Sequence, residues 1–74
     1  MEFDYSKLRG RIVEKFGNIS QFSKELKITR TSVNMKLNNR MNFTRSDMIE
    51  WSRLLDIPKD ELGCYFFTEK LNRE

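Results

Sequence analysis

Five basic side chains, Lys27, Arg30, Lys36, Arg40 and Arg45, fall between Leu26 and Ser46, a stretch with no acidic residue and many Asn, Thr and Ser. Cations interleaved with short hydrogen-bonding side chains are suited to gripping phosphate oxygens. The charge attracts at long range, and the hydroxyl and amide groups fix position. The rest of the chain holds nine basic and eleven acidic residues, so the positive segment stands in a slightly negative background, the electrostatic footprint of a phosphate-binding surface. Other chemistries lack their parts. With no His and the single Cys64, zinc sites of the finger or ribbon type and an internal disulfide are excluded. The same absences argue against an enzyme, and no metal, cofactor or small-molecule substrate is expected.

Seventy-four residues suit one domain near the low end of what folds without metal or disulfide staples. With 38% hydrophobic residues and six Phe, the chain can build one core but has little room for an enclosed substrate cavity. No apolar run approaches the roughly 20 residues of a membrane span. Met1-Glu2-Phe3-Asp4 lacks the basic start and apolar core of a secretory signal. One free cysteine fits a reducing compartment, so a cytoplasmic location is expected.

The elements that must hold the basic segment read as helices throughout, because nothing alternates apolar and polar like a strand. Leu8, Ile12 and Phe16 are spaced by four with Val13 beside them, predicting a helix over about 4–16 that Gly17-Asn18 ends. Ser20 is placed to cap a short second helix carrying Phe22 and Leu26. Ile28 sits in a tight connection, and Thr29 caps a third helix over about 30–38 with Val33 and Leu37 inward. The stripe Phe22, Leu26, Ile28, Val33 and Leu37 is assigned to the core. Arg30, Thr31, Asn34, Met35 and Asn38 then leave the third helix more polar than packing alone explains. Residues 38–42 read as a loop. Thr44 and Asp47 resemble a capping box opening a fourth helix to about Leu55, which buries Met48, Ile49, Trp51, Ser52 and Leu55 to different degrees. Asp56-Ile57-Pro58 breaks it, a fifth helix covers about 59–66, and the charged residues 68–74 are expected to fray.

The run from Ser20 to Leu37 resembles the helix-turn-helix of the phage Cro and lambda-repressor family. Phe22, Ser23 and Leu26 fill the apolar, small and apolar slots of the first motif helix, Ile28 the turn, Thr29 the cap and Val33 the buried position of the second helix. The segment Trp51 to Leu62 is similar to the tail of the same family, and Tyr65-Phe66-Phe67 resembles the ending of small Cro-like regulators of phages from Gram-positive bacteria. The likeness covers roughly 8–67. It departs at Ser23, where Ala is usual, at Ile19, where Gln is common, and at Lys27, where Gly is usual and which must accept an awkward backbone angle at some cost. The resemblance implies an all-α, five-helix, lambda-repressor-like domain over 1–74, its motif at about 19–38, encoded by a phage or prophage.

It also implies a sequence-specific transcriptional regulator that represses by occupying an operator in double-stranded DNA. A helix entering the major groove presents its N-terminal residues to base edges, which makes Arg30, Thr31, Asn34 and Met35 the candidate base contacts. Ser20, Gln21, Thr29, Ser32, Lys36, Asn38, Asn39, Arg40, Thr44, Arg45 and Ser46 are the candidate phosphate contacts. Each has a plainer reading: Arg30 as a solvated charge, Thr29 as a cap, Asn38 and Asn39 as helix terminators, Lys36 as a stem covering apolar surface. Tyr65, Phe66 and Phe67 either close the core or form a surface for a homodimer. The alternative function is an antirepressor, in which Arg30, Asn34 and Met35 meet a phage repressor protein instead of bases. An architectural DNA protein is a third option.

Overall fold

A computed structural model describes residues 2–69. Five α-helices follow one another as α1 (Ser6–Phe16), α2 (Ile19–Leu26), α3 (Arg30–Leu37), α4 (Arg45–Leu55) and α5 (Leu62–Phe66), with a 3-10 turn over Lys59–Glu61 leading into α5. The expected all-helical, five-helix order is the order found. Among the described residues the only β pairing is an isolated antiparallel bridge between Phe3 and Glu69.

Local chemistry sets the helix ends. Gly17 closes α1 at φ 88°, a left-handed backbone that costs a residue without Cβ little. Asn18, and not Ser20, caps α2: its side chain accepts the Gln21 N–H at 2.8 Å. The helix therefore starts one residue before the expected cap, and Ile19 lies inside it. Thr29 caps α3 by accepting the Ser32 N–H. Thr44 and Asp47 form the full reciprocal capping box at α4. Asp56 ends α4 in the left-handed region, where its carboxylate meets Lys15 at 2.7 Å, while Arg11 donates to the carbonyls of Leu55 and Asp56. Arg11 of α1 thus satisfies carbonyls at the negative end of α4, and Lys15 pairs with the side chain of its capping residue.

The core is a stack of rings and aliphatic side chains from every helix. Leu8 and Ile12 come from α1, Phe22 from α2, Val33 and Leu37 from α3, Trp51 and Leu55 from α4, and Tyr65 and Phe66 from α5. Phe43, in the loop between α3 and α4, is the hub. Its ring lies edge-on to Trp51 at 4.7 Å and to Tyr5 and Phe66 at 5.2 Å each. Phe22 also meets Trp51 edge-on, at 4.9 Å. These edge-to-face pairs add specific geometry to the burial of large apolar area.

Several expectations are revised or decided. Ile28, assigned to the core, is 38% exposed at the turn, and Leu26 is only partly buried. Val13 and Ile49 face solvent as well. Tyr65 and Phe66 close the core, which leaves Phe67 as the exposed member of that aromatic run. Thr68 and Glu69, expected to fray, pair with the start of the chain: the Thr68 carbonyl accepts the Asp4 N–H at 2.7 Å, next to the Phe3–Glu69 bridge. The remainder of that expected tail, 70–74, lies outside the described residues.

Candidate interaction surface

The turn between α2 and α3 is held by its own backbone. Lys27 takes φ 62°, and its N–H reaches the carbonyls of Lys24 and Ser23, while the Ile28 N–H reaches Ser23 at 3.2 Å. Ser23 tolerates burial because its hydroxyl donates to the Ser20 carbonyl at 2.8 Å. So placed, the first turn of α3 projects Arg30 and Thr31 into solvent, and Asn34 and Met35 follow one turn later, half-buried. The four candidate base-reading residues therefore share one side of one helix. The Arg30 guanidinium lies across the start of α2, with 3.4 Å from Nη1 to Ser20 Oγ.

The candidate phosphate contacts divide into two groups. Gln21, Arg40, Arg45 and Ser46 are exposed, and none has a side-chain hydrogen bond or ion pair among the described residues. Ser20 is held by Arg30. The others are engaged in bonds within the chain. Thr29 and Ser32 bond each other in the α3 cap, and Thr44 is occupied in the α4 capping box. Asn38 Oδ1 accepts from Arg9 Nη2 at 2.7 Å.

Asn39, in the left-handed region at φ 63°, clamps Phe3 from both sides. Its Oδ1 accepts the Phe3 N–H at 3.0 Å, and its Nδ2 donates to the Phe3 carbonyl at 2.9 Å. Lys36 departs most from expectation. Its residue is 9% exposed, and its ammonium sits 2.7 Å from Asp47 Oδ2 and 3.3 Å from the Asn42 carbonyl. The ammonium is thus part-buried and paired within the chain.

Asp47 links this pair to α4. Burial pushes its carboxyl up, but the hydrogen bond from Lys36, the Thr44 N–H and the Lys36 charge together outweigh that and hold it below the ordinary 3.8. With Lys36 neutralised, the outward charge of the segment comes from Lys27, Arg30, Arg40 and Arg45. Arg9 of α1 joins them through Asn38. Nothing in the local sequence marks Arg9, because its partner Asn38 lies 29 residues away.

A second surface escaped sequence reading. Met48, Ile49, Ile57, Leu62 and Phe67 line an open apolar groove of about 680 Å³. Ile49 is 61% and Phe67 54% exposed. The signal was available in the helix phase. Trp51 and Leu55 point inward, and two residues at about 100° each turn Ile49 nearly opposite Trp51.

Among the described residues no helix is long and apolar enough to cross a membrane. No curated protein matches the sequence. Among solved structures, the chain is similar to the modulator of repression (MOR) of the temperate bacteriophage TP901-1 from Lactococcus lactis, determined in solution. The identity is 28%, the match covers 97% of each chain, and the TM-score is 0.81. This structural match is to a modulator of phage repression, where the sequence resemblance pointed to Cro and lambda repressor. A family model matches residues 1–69, and the chain belongs to the family described as "Protein of unknown function (DUF739)".

Proposed function

We propose that this protein modulates phage repression by binding a repressor protein, the antirepressor reading of the helix-turn-helix, within the bacterial cytoplasm. The observation that carries the proposal is the likeness to a phage modulator of repression over 97% of both chains at 28% identity. The geometry supports a protein partner in two ways. Several side chains that would clamp phosphates are spent on internal bonds, Lys36, Asn39 and Thr44 foremost. The α3 side also offers half-buried Asn34 and Met35 beside exposed Arg30 and Thr31, a mixed polar and apolar patch of the kind that protein interfaces use.

The test is calorimetric titration against the purified repressor of the same phage genome, followed by release of that repressor from its operator. Tight binding with operator release is expected. Arg30→Glu should weaken it at least about tenfold if α3 forms part of the contact. No heat and no operator release would overturn the reading.

Operator DNA is the second reading, favoured by the acid-free stretch from Leu26 to Ser46 and its exposed cations. In that case electrophoretic mobility shifts show affinity falling steeply with salt. Arg30→Ala then relaxes sequence preference, whereas Arg45→Ala weakens all sequences equally and lowers the salt slope by about one. Two copies on a palindrome would be required for tight selection. With Tyr65 and Phe66 in the core, Phe67 alone of that run would be left to a homodimer surface.

A further inference from the structure

We propose that the groove between α4 and the segment 57–67 receives an amphipathic helix of a protein partner, one whose apolar stripe is flanked by carboxylates. The proposal rests on the reading that the protein acts by binding another protein, and it concerns a surface separate from the exposed turn of α3. Its apolar lining comes from Met48 and Ile49 of α4 and from Ile57, Leu62 and Phe67 of the segment after it. Ile49 and Phe67 keep most of a large apolar side chain in water although their neighbours Trp51 and Phe66 are buried. Contiguous exposed apolar surface on so small a protein marks a contact site. An open groove with aliphatic and aromatic walls matches the mode in which a helix inserts side chains at i, i+3 and i+7.

Charge selects the occupant. Arg45, Arg53 and Lys59 also line the groove, with no acidic residue among its lining. Glu50 offsets Arg53 from outside at 2.6 Å, while Arg45 and Lys59 have no ion pair among the described residues. A helix with Glu or Asp beside its apolar stripe satisfies those cations as it fills the floor, whereas a basic helix is repelled. The same charge sign disfavours the basic DNA-reading helix of a repressor as the occupant. The site for that partner's acid-flanked helix is therefore distinct from its DNA-facing side. Ser52 Oγ, on a lining residue, is itself buried, so it is not presented to a small polar ligand in the groove.

The experiment titrates the full ¹⁵N-labelled chain with a synthetic three-turn helical peptide bearing Leu at i, i+3 and i+7 and Glu on both flanks. Amide shifts should concentrate at Ile49, Ser52, Arg53, Ile57, Leu62 and Phe67. A peptide with Lys in place of Glu should bind at least about tenfold more weakly at low salt. Ile49→Asp, checked for folding by circular dichroism, should lower the affinity of the Glu peptide about tenfold, and Arg30→Ala should leave it within about twofold. No binding, equal binding of the two peptides, or shifts centred on α3 would overturn the proposal. So would vesicles of anionic lipid causing the same shifts while the peptide causes none, or sedimentation showing that a second copy of the chain already covers the groove. The repressor titration is independent. If the peptide binds and the repressor does not, the groove stands and the repressor reading falls. If the repressor binds, with Ile49→Asp without effect on it, and the peptide does not, the groove alone falls.

Discussion

Removing Asp47 tests the central claim about the basic segment, that Lys36 belongs to the interior. Asp47→Ala does three things at once. It deletes the 2.7 Å ion pair, strips the return bond from Thr44 N–H to the carboxylate, and leaves the Lys36 ammonium with the Asn42 carbonyl at 3.3 Å as its remaining partner. The side chains of Lys36 and Asp47 are 11% and 26% exposed, between a surface pair worth up to about 1 kcal/mol and a fully buried one costing about 3–5 kcal/mol to break. A loss of about 2–3 kcal/mol follows, which lowers Tm by roughly 10–20 °C in a domain of this size.

Lys36→Met keeps the stem beside the Phe43 ring, over which the ammonium lies at 5.8 Å. It should cost less, about 1–2 kcal/mol, because Asp47 retains its capping bonds. The double variant should cost clearly less than the sum of the two, by about 1 kcal/mol of coupling. Urea unfolding followed at Trp51 measures all three. Single variants each within about 0.5 kcal/mol of wild type, with no coupling, would refute the interior placement of Lys36. A DNA salt slope that drops by about one in Lys36→Met would do the same.

Acid should reveal the same pair. The folded-state value of Asp47 lies below 3.8, so the pair's contribution is fully present above that value and drains away as pH falls through the lowered folded value. Wild type should therefore lose more stability than Lys36→Met between about pH 5 and pH 2, and equal losses would contradict the assignment. Lys27→Gly should raise stability by about 1 kcal/mol, since φ 62° strains a residue with a Cβ; an unchanged Tm counts against it. Asn39→Gly keeps the left-handed backbone but drops both bonds to Phe3, for about 1–2 kcal/mol and faster exchange of the Phe3 amide; an amide as protected as in wild type would contradict the clamp. Ser52→Ala removes a buried hydroxyl without a partner and should be neutral or stabilising by up to about 1 kcal/mol, and a clear loss in thermal unfolding would show that the hydroxyl is bonded.

What could be read from the sequence followed the range of the forces involved. Thr29 and Thr44 cap neighbours three residues away, so their roles were visible in spacing alone. Lys27 was marked by a missing glycine, and its φ confirms the strain expected there. Ser20 misled because Asn18, two residues earlier, is an equally good capping side chain, and the left-handed Gly17 before it delivers the backbone that lets Asn18 begin the helix. Lys36 misled for a different reason. Its burial depends on Asp47, eleven residues on and across a loop, and Lys is so rarely enclosed that composition argues for the surface. Asn39 was assigned to ending a helix or to phosphate, but its partner Phe3 is 36 residues away. Within Tyr65-Phe66-Phe67, three like residues in a row give no direction until the helix phase of α5 sends two inward.

The lone indole of Trp51, fully enclosed and in ring contact with both Phe22 and Phe43, makes this molecule its own optical gauge. Its emission samples α2, α4 and the loop before α4 at a single point, in a dry environment where small shifts in ring spacing alter intensity and colour. Any ligand that loosens or tightens the aromatic stack can thus be followed in the unmodified chain, without dye or tag. A ligand that settles only on an outer face, leaving the stack undisturbed, should be silent in the same channel.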